Sequence, residues 1–366
     1  MPEPQLLSTR QLNRTLLERQ LLLRRSPLGV VEAIAHLAGM QCQVPSAPFY
    51  GLWSRLEDFD AEGLVRPLEQ HAVLRTTLMR VTLHLTTTDD FLAWRPMHQA
   101  MIEKRFAGTA FAKQLDGIDV AAVVEAGRTA LAAAPGTAAQ LGRTLAERWP
   151  GADPMALAFA VRWALPLAQL PPRGTSLEKD GGPAVVAPVP ELTGRELASE
   201  TSPDALLLRY LAAFGPASVP DMRLWSGLPG LAAAVERLRP QLRTFRDENG
   251  RELLDLPDAP VATGDEPAPP RFLPPFDNLL LGHDDRSRVL PYGHRLGVVG
   301  GSAFVLVDGF ARATWRIQRS PQLATLHIQP LERLDLGDDV IAEGERLLAF
   351  AAPAAAERRV VVEPAP

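Results

Sequence analysis

Apolar residues recur at helical spacing near the start of the chain, directly after a helix-start signal. Ser8 followed three residues later by Gln11 is the capping-box pattern. The stripe that follows predicts a helix ended by Ser26-Pro27, and it comprises Leu12, Leu16, Leu17, Leu21 and Leu22. Arginines occupy the other face, which we expect to be solvated; a phosphate-facing stripe is the alternative. Further helices are predicted over 27–40, 49–56 and 64–70.

A stretch rich in Thr, Val and Leu follows these helices, at 73–85. It predicts two strands that meet near 77–80 as a wing-like hairpin, because β-branched residues favour strands. Another helix is predicted to begin at Asp89-Asp90 and to run through Met101. Helices followed by a hairpin are the element order of a winged-helix unit.

The same layout returns twice, with helix breaks at the equivalent positions 134–137 and 214–218. We therefore predict three tandem helix-turn-helix units with wings, similar in layout rather than in sequence. They cover residues 1–110, 111–195 and 196–260. In the third unit, Asn249-Gly250 predicts the turn of a small hairpin.

The chain changes character after a Pro-rich stretch at 259–270, a predicted linker. Strands are predicted on both sides of the turn Asp308-Gly309 and again near the C-terminus, with a helix over 338–350. We expect residues 261–366 to form a β-barrel-like domain or sheet. The predicted fold is thus mainly α, with a C-terminal β domain.

Composition narrows the class of protein. The 366 residues are 46% hydrophobic and 22% charged, as in ordinary globular proteins, and no apolar run approaches the roughly 18 residues of a membrane span. The net charge of −5 argues against nonspecific nucleic-acid binding. The cations are nearly all arginine, which matches phosphate oxygens well, although GC-rich coding bias is the alternative reason. One cysteine and no signal-peptide pattern lead us to expect a cytoplasmic protein.

Two carboxamides, Gln41 and Gln43, flank this single cysteine. If they converge, they offer donors and acceptors without charge, which suits holding a water or a base edge; capping a helix end or facing solvent is the alternative. Cys42 is either a nucleophile or a small buried apolar group. Asp284-Asp285 is either a general-base pair or a partner of an arginine or a helix end. The seven histidines lack ligand spacing, so we expect no metal site and no cofactor.

Several segments form a recognisable set: Leu7–Arg14, Leu17–Gln20, Gln41–Pro45, Gly51–Trp53, Arg75–Leu85, Leu273–Asn278, His283–Arg288, Val307–Gly309 and Thr314-Trp315. Together they resemble the AlkZ/YcaQ-type winged-helix DNA glycosylases over nearly the whole chain. The catalytic motif of that family is Gln, an apolar residue, then Gln or Asp. Gln41, Cys42 and Gln43 match it position by position, and the Gln form resembles the narrower, azinomycin-directed branch.

The resemblance implies a C-shaped clamp that acts on double-stranded DNA with alkylated or crosslinked purines and serves self-resistance in a producer organism. N7 alkylation makes the purine cationic and a good leaving group, so the protein mainly has to place a water and steady the sugar. We expect Gln43 to align the water and Gln41 to hold it or the sugar. The cleft should be open, since a crosslinked base cannot be flipped into a closed pocket. The residues expected to contact DNA are Arg75, Arg80, His84, Arg286, Arg288, Arg312 and Arg316, with ion pairs to nearby aspartates as the alternative.

We expect a monomer associated with the nucleoid and not with a membrane. The rival class is a non-catalytic winged-helix regulator or repair scaffold, which would share the layout but would not need the glutamine pair. A thiol hydrolase that uses Cys42 is a more distant alternative.

Overall fold

The structure is a computed structural model that describes residues 4–179, 181–290, 301–320 and 322–365. Its helices in chain order are α1 (Thr9–Arg19), α2 (Val30–His36), α3 (Ala47–Trp53), α4 (Glu62–Glu69), α5 (Thr88–Ala107), α6 (Ala110–Lys113), α7 (Val120–Ala133), α8 (Ala138–Ala146), α9 (Pro154–Ala164), α10 (Val189–Thr193), α11 (Asp204–Phe214), α12 (Val219–Ser226), α13 (Ala232–Leu238), α14 (Asn278–Leu281) and α15 (Asp338–Ala351). No helix in this part of the chain is long and apolar enough to cross a membrane.

The strands complete a mixed fold of helix and sheet. In chain order they are β1 (Gln5–Leu7), β2 (Met40–Gln41), β3 (Val73–Thr77), β4 (Leu83–Thr87), β5 (Gly136–Thr137), β6 (Leu167–Gln169), β7 (Val185–Pro188), β8 (Arg243–Asp247), β9 (Glu252–Asp255), β10 (Arg271–Leu273), β11 (Ala303–Val307), β12 (Phe310–Arg319), β13 (Leu323–Pro330) and β14 (Glu357–Val362). One turn of 3-10 helix, Met79–Val81, joins β3 to β4.

Helix α1 begins where the capping box predicts it. The Ser8 hydroxyl accepts from the backbone N–H of Gln11 at 3.2 Å, and the Gln11 side chain accepts from the N–H of Ser8 at 3.0 Å. The predicted apolar residues that lie on α1, Leu12, Leu16 and Leu17, are buried as expected. The helix ends at Arg19 and not at Ser26-Pro27, because Leu21 has a left-handed backbone with φ 57°. The expectation of a solvated arginine face is wrong for Arg14 and Arg19, which are both buried. Arg19 forms a bidentate ion pair with Asp255 at 2.7 and 2.8 Å. That pair ties α1 to strand β9.

Among the described residues, six strands form one sheet in the order β2-β4-β3-β6-β7-β5. The predicted wing hairpin is confirmed, since β3 and β4 pair antiparallel on either side of the 3-10 turn. Strand β3 also pairs with β6, so the first and second predicted units share this sheet. At its edge β2 pairs with β4, with Gln41 opposite His84. Gln41 is therefore held on an edge strand rather than at a helix end.

The other two sheets join distant parts of the chain. Strand β1 pairs parallel with β8, which forms the predicted hairpin with β9, so the N-terminus completes the third unit's sheet. The C-terminal strands have the order β10-β11-β12-β13-β14. Within the described residues this sheet is open, so the predicted barrel is wrong. The sheet buries its apolar face against α15 instead of closing on itself.

Helix α3 connects the first unit to the C-terminal sheet. Tyr50 packs edge-on against Trp315 of β12, with the ring centroids 5.3 Å apart. Two residues after α3, Arg55 forms a buried bidentate ion pair with Asp277 at 2.9 and 2.8 Å. Asp277 also accepts from the N–H of Leu279 and so begins α14. These contacts bring residues 274–278, which follow β10, beside Gln41. Together they line a small space of about 10 Å³.

Candidate functional site

Gln41 and Gln43 lie on β2 and on the bend that follows it. Cys42, between them, is fully buried, and its N–H donates to the carbonyl of Leu83 at 2.9 Å. Gln41 lies on the strand itself, whereas Gln43 lies on the bend, and the two carboxamides differ in exposure. Gln41 is only 7% exposed. Gln43 is exposed, and its Oε1 accepts from the N–H of Leu83 at 3.0 Å. Gln41 thus faces inward, and Gln43 faces solvent while tied to β4.

Arg80 is the residue that the Gln41 side chain contacts. It lies on the turn between the two wing strands, with a left-handed backbone (φ 55°). Its Nη2 donates to Oε1 of Gln41 at 2.7 Å, to Oδ1 of Asn278 at 3.2 Å and to Nε2 of His84 at 3.3 Å. Its Nη1 donates to the carbonyl of Trp225. One guanidinium therefore joins the wing, helix α12 and the C-terminal segment, and it fixes the Gln41 carboxamide.

The hydrogen-bond partners of this guanidinium are all neutral. Burial, together with the charge of nearby Arg286, lowers the pKa of Arg80 to about 10, so the side chain is still cationic at neutral pH. Burial, and then the charge of Arg80, lower the pKa of His84 well below its ordinary value, so the ring is neutral. Its Nδ1–H donates to the carbonyl of Thr82 at 3.0 Å, which leaves Nε2 as the acceptor for Arg80. The site therefore holds a cation that none of these partners neutralises.

Arg80 also lines an open cleft of about 660 Å³. This volume lies in the range of ligand-binding sites. The rest of the lining combines apolar and charged groups: Val219, Pro220, Arg223, Leu224, Gly227 and Asp284. Gly227 has φ +77°, and a Cβ there would lie 3.0 Å from the backbone N of Arg80, so this close approach requires glycine. Gln41 itself does not line this cleft, and Arg80 is the residue that connects the cleft with the Gln41 carboxamide.

Arg75 lies beneath the glutamine pair rather than on the surface. It is 1% exposed, and it donates to the carbonyls of Cys42 at 3.2 Å and Pro45 at 3.4 Å. This burial contradicts the expected DNA contact, and Arg75 instead braces the backbone of the Gln41–Pro45 segment. Burial also raises the pKa of the Cys42 thiol, which favours the small apolar group over the nucleophile.

His84 and Arg288 are likewise inside the protein, at 0% and 5% exposure. The expected DNA contact is therefore contradicted for both, because neither has surface to present to a phosphate. His84 orients Arg80, as described above. Arg288 donates to the carbonyl of Pro216 at 3.0 Å and so ties the 283–288 segment to the turn before α12.

The remaining predicted DNA contacts divide into two groups. Arg286 is half-buried beside Arg80, and its buried Nε has no hydrogen-bond partner in the part of the chain that is described. Arg312 and Arg316 lie on β12, and neither is among the residues that contact Gln41 or line the cleft. Arg312 pairs with Glu332 at 2.7 Å, whereas Arg316 is exposed. Arg286 is thus near enough to Arg80 for its charge to act on that residue, whereas the two β12 arginines lie outside the cleft lining.

Sequence reasoning assigned no role at this site to three residues near Gln41. Asn278 shares Arg80 with it, and the Arg55–Asp277 pair holds the segment that carries Asn278. The available signal was the Leu273–Asn278 segment, which carried the family resemblance but had no assigned role. Among the described residues, no group of three or more His, Cys, Asp or Glu could hold a metal ion.

Comparisons with known proteins cover most of the chain. The model of the family described as "DNA glycosylase AlkZ-like" matches residues 34–350. Among solved structures, the DNA glycosylase AlkZ of Streptomyces sahachiroi matches with a TM-score of 0.72 and 21% identity, over 98% of this chain and 100% of that chain. At this identity the likeness shows a shared fold. No curated protein sequence matches the chain.

Proposed function

Because this chain belongs to the AlkZ-like DNA glycosylase family, we propose that it removes N7-alkylated purines from duplex DNA and unhooks bulky interstrand crosslinks of the azinomycin type. The observation that carries the proposal is the 2.7 Å contact between Gln41 and Arg80, a residue of the open 660 Å³ cleft. An open cleft suits a base that remains tethered to the opposite strand and cannot enter a closed pocket.

The two glutamines suit a reaction whose leaving group is already activated. An N7-alkylated purine carries a positive charge and leaves as a neutral base, so the site need not protonate it. The Oε1 of Gln43 accepts one backbone N–H and has a second lone pair for a hydrogen of water. The Oε1 of Gln41 is occupied by Arg80, so its NH₂ group is the part that can hold the water or the sugar. Neither amide is a strong base, and both act by positioning.

The charge of Arg80 has to face an anion. A cation next to an oxocarbenium-like sugar would raise the barrier by electrostatic repulsion. The phosphate of the damaged nucleotide is the group that would gain from Arg80 and the nearby Arg286. In this proposal Arg312 and Arg316 contact the duplex farther away.

The clamp of three winged-helix units, over 1–110, 111–195 and 196–260, belongs to the same proposal, as does the β domain over 261–366. The protein would act as a monomer that wraps the duplex. The fold shared with the AlkZ of Streptomyces sahachiroi over 98% of this chain supports an AlkZ-like architecture.

The test uses Gln41→Ala and Gln43→Ala with two duplex substrates, one containing N7-methylguanine and one a defined N7 crosslink. We expect each variant to lose about 100-fold or more of its single-turnover rate, read as alkali-labile sites, because loss of one positioned polar group typically costs that much. Duplex affinity should be nearly unchanged, since no charge is removed. Gln114→Ala is the matched control, because Gln114 is an exposed glutamine outside the cleft lining.

Two results would argue against the proposal. Full excision by both variants would remove the glutamines from the mechanism. Retardation of the duplex by the wild-type protein, with no alkali-labile site on either substrate, would favour the non-catalytic winged-helix regulator.

A further inference from the structure

The cleft lining includes a carboxylate, Asp284. Its side chain is exposed, and it forms no hydrogen bond or ion pair with the residues that the structure describes. The next residue, Asp285, differs, because its carboxylate bonds Arg251 and accepts from the N–H of Ser287 at 3.0 Å. The acidic pair therefore separates into one structural member and one that faces the cleft.

The position of Asp284 is fixed through its backbone. Its N–H donates to Oδ1 of Asp221 at 2.8 Å. Asp221 is buried, and its Oδ2 accepts from the N–H of Ser218 at 2.8 Å in the capping box of α12. The start of α12, which forms a wall of the cleft, thus also holds the residue that carries the free carboxylate.

An unpaired carboxylate is unfavourable in a cleft that binds a polyanion, because it repels phosphate. It is favourable next to positive charge. The N7-alkylated purine is cationic before cleavage, and the sugar becomes cationic as the bond breaks. Gln41 and Gln43 are neutral and Arg80 is positive, so none of them supplies a negative charge opposite it.

We propose that Asp284 is a catalytic residue that faces the reacting nucleotide and stabilises the positive charge on its sugar, an inference that rests on the proposed function. The C1′–N9 bond breaks with its electron pair moving to the purine, which becomes neutral. Water forms the C1′–O bond and gives up a proton, which Asp284 accepts and releases to solvent. Arg80 and Arg286 bind the negatively charged phosphate, while Asp284 faces the positively charged sugar.

The experiment compares Asp284→Asn, Asp284→Glu and the control Asp285→Asn on a duplex containing N7-methylguanine. We expect Asp284→Asn to lose about 100-fold or more in single-turnover rate, the typical cost of removing one group that stabilises developing charge. Its duplex affinity should be equal to or higher than that of the wild type, because a repulsive charge is gone. Asp284→Glu should recover part of the rate. Asp285→Asn should stay near the wild-type rate, since its partner is Arg251.

The opposite pattern overturns the assignment. Wild-type excision by Asp284→Asn, or a loss of rate that only follows a loss of affinity, would remove Asp284 from the chemistry while leaving the proposed function in place. Absence of excision by the wild-type protein itself would overturn the proposed function, and this inference with it.

Discussion

Arg80→Lys separates the two roles assigned to Arg80, which are to position Gln41 and to carry a charge toward phosphate. Lysine keeps the charge but replaces the planar fork with a single ammonium on a flexible stem. In the wild type, Nη2 of the Arg80 guanidinium donates to Gln41 at 2.7 Å and to Asn278 at 3.2 Å, and Nη1 donates to the carbonyl of Trp225. One ammonium cannot reproduce both directions, so at least one of these hydrogen bonds is lost.

The size of the effect follows from the lost bond. A hydrogen bond from a charged donor contributes about 1.5–3 kcal/mol. If losing this hydrogen bond misplaces Gln41 and raises the activation free energy by that amount, excision slows by about 10- to 150-fold, at 1.36 kcal/mol per factor of ten. Duplex affinity and its salt dependence should change little, because the number of cations facing phosphate is the same.

The assay is single-turnover excision of N7-methylguanine, with duplex affinity measured over a range of salt concentrations. Arg223→Lys is the matched control, because Arg223 lines the same cleft but is not bonded to Gln41. Its excision rate should remain near that of the wild type. Thermal melts of both variants confirm that any loss of rate does not arise from unfolding.

An unchanged excision rate in Arg80→Lys would refute the positioning role. A loss of affinity with a normal rate at saturating enzyme would restrict Arg80 to phosphate binding. Equal losses of excision rate in Arg80→Lys and Arg223→Lys would mean that the contact of the Arg80 guanidinium with Gln41 does not determine the rate.

Two further predictions concern packing and pH. Gly227→Ala should slow excision more than Gly230→Ala, because both glycines have left-handed backbones (φ +77° and +70°) but only the new Cβ at 227 would press on Arg80; equal excision rates would contradict this. Burial lowers the pKa of His98 to about 4 and that of His283 to about 3. The unfolded chain, with a histidine pKa of about 6.5, therefore binds more protons in acid, and stability should fall by about 2 kcal/mol per histidine from about pH 7 to about pH 5. A Tm that stays constant over this range would contradict the burial of neutral rings.

Local sequence patterns determined much of the secondary structure. The wing strands were predictable from β-branched residues, and the β11–β12 hairpin from Asp308-Gly309, because turn chemistry acts over a few residues. The capping boxes at Ser8 and Thr137 likewise mark where α1 and α8 begin. The family could be recognised from short segments for the same reason.

Local patterns could not determine which charged residues are buried. Arg75 and Arg288 were expected on the surface, since arginine is usually exposed. Both are inside, where each guanidinium donates to backbone carbonyls of other segments. Whether the C-terminal strands close into a barrel was equally beyond local patterns, since it depends on α15 covering the sheet.

The sequence by itself determined the candidate pair Gln41 and Gln43, because the motif is contiguous. Only the tertiary structure decided what surrounds it. Arg80 lies 39 residues from Gln41 and 198 from Asn278, and the three meet through contacts that no helical or strand periodicity encodes. The wing, α12 and the C-terminal segment pack together around Arg80. This packing lowers the pKa of Arg80 by burial, and it also forms the cleft that Arg80 lines. A site of this kind depends on distances between distant parts of the chain, and those distances are set only when the chain folds.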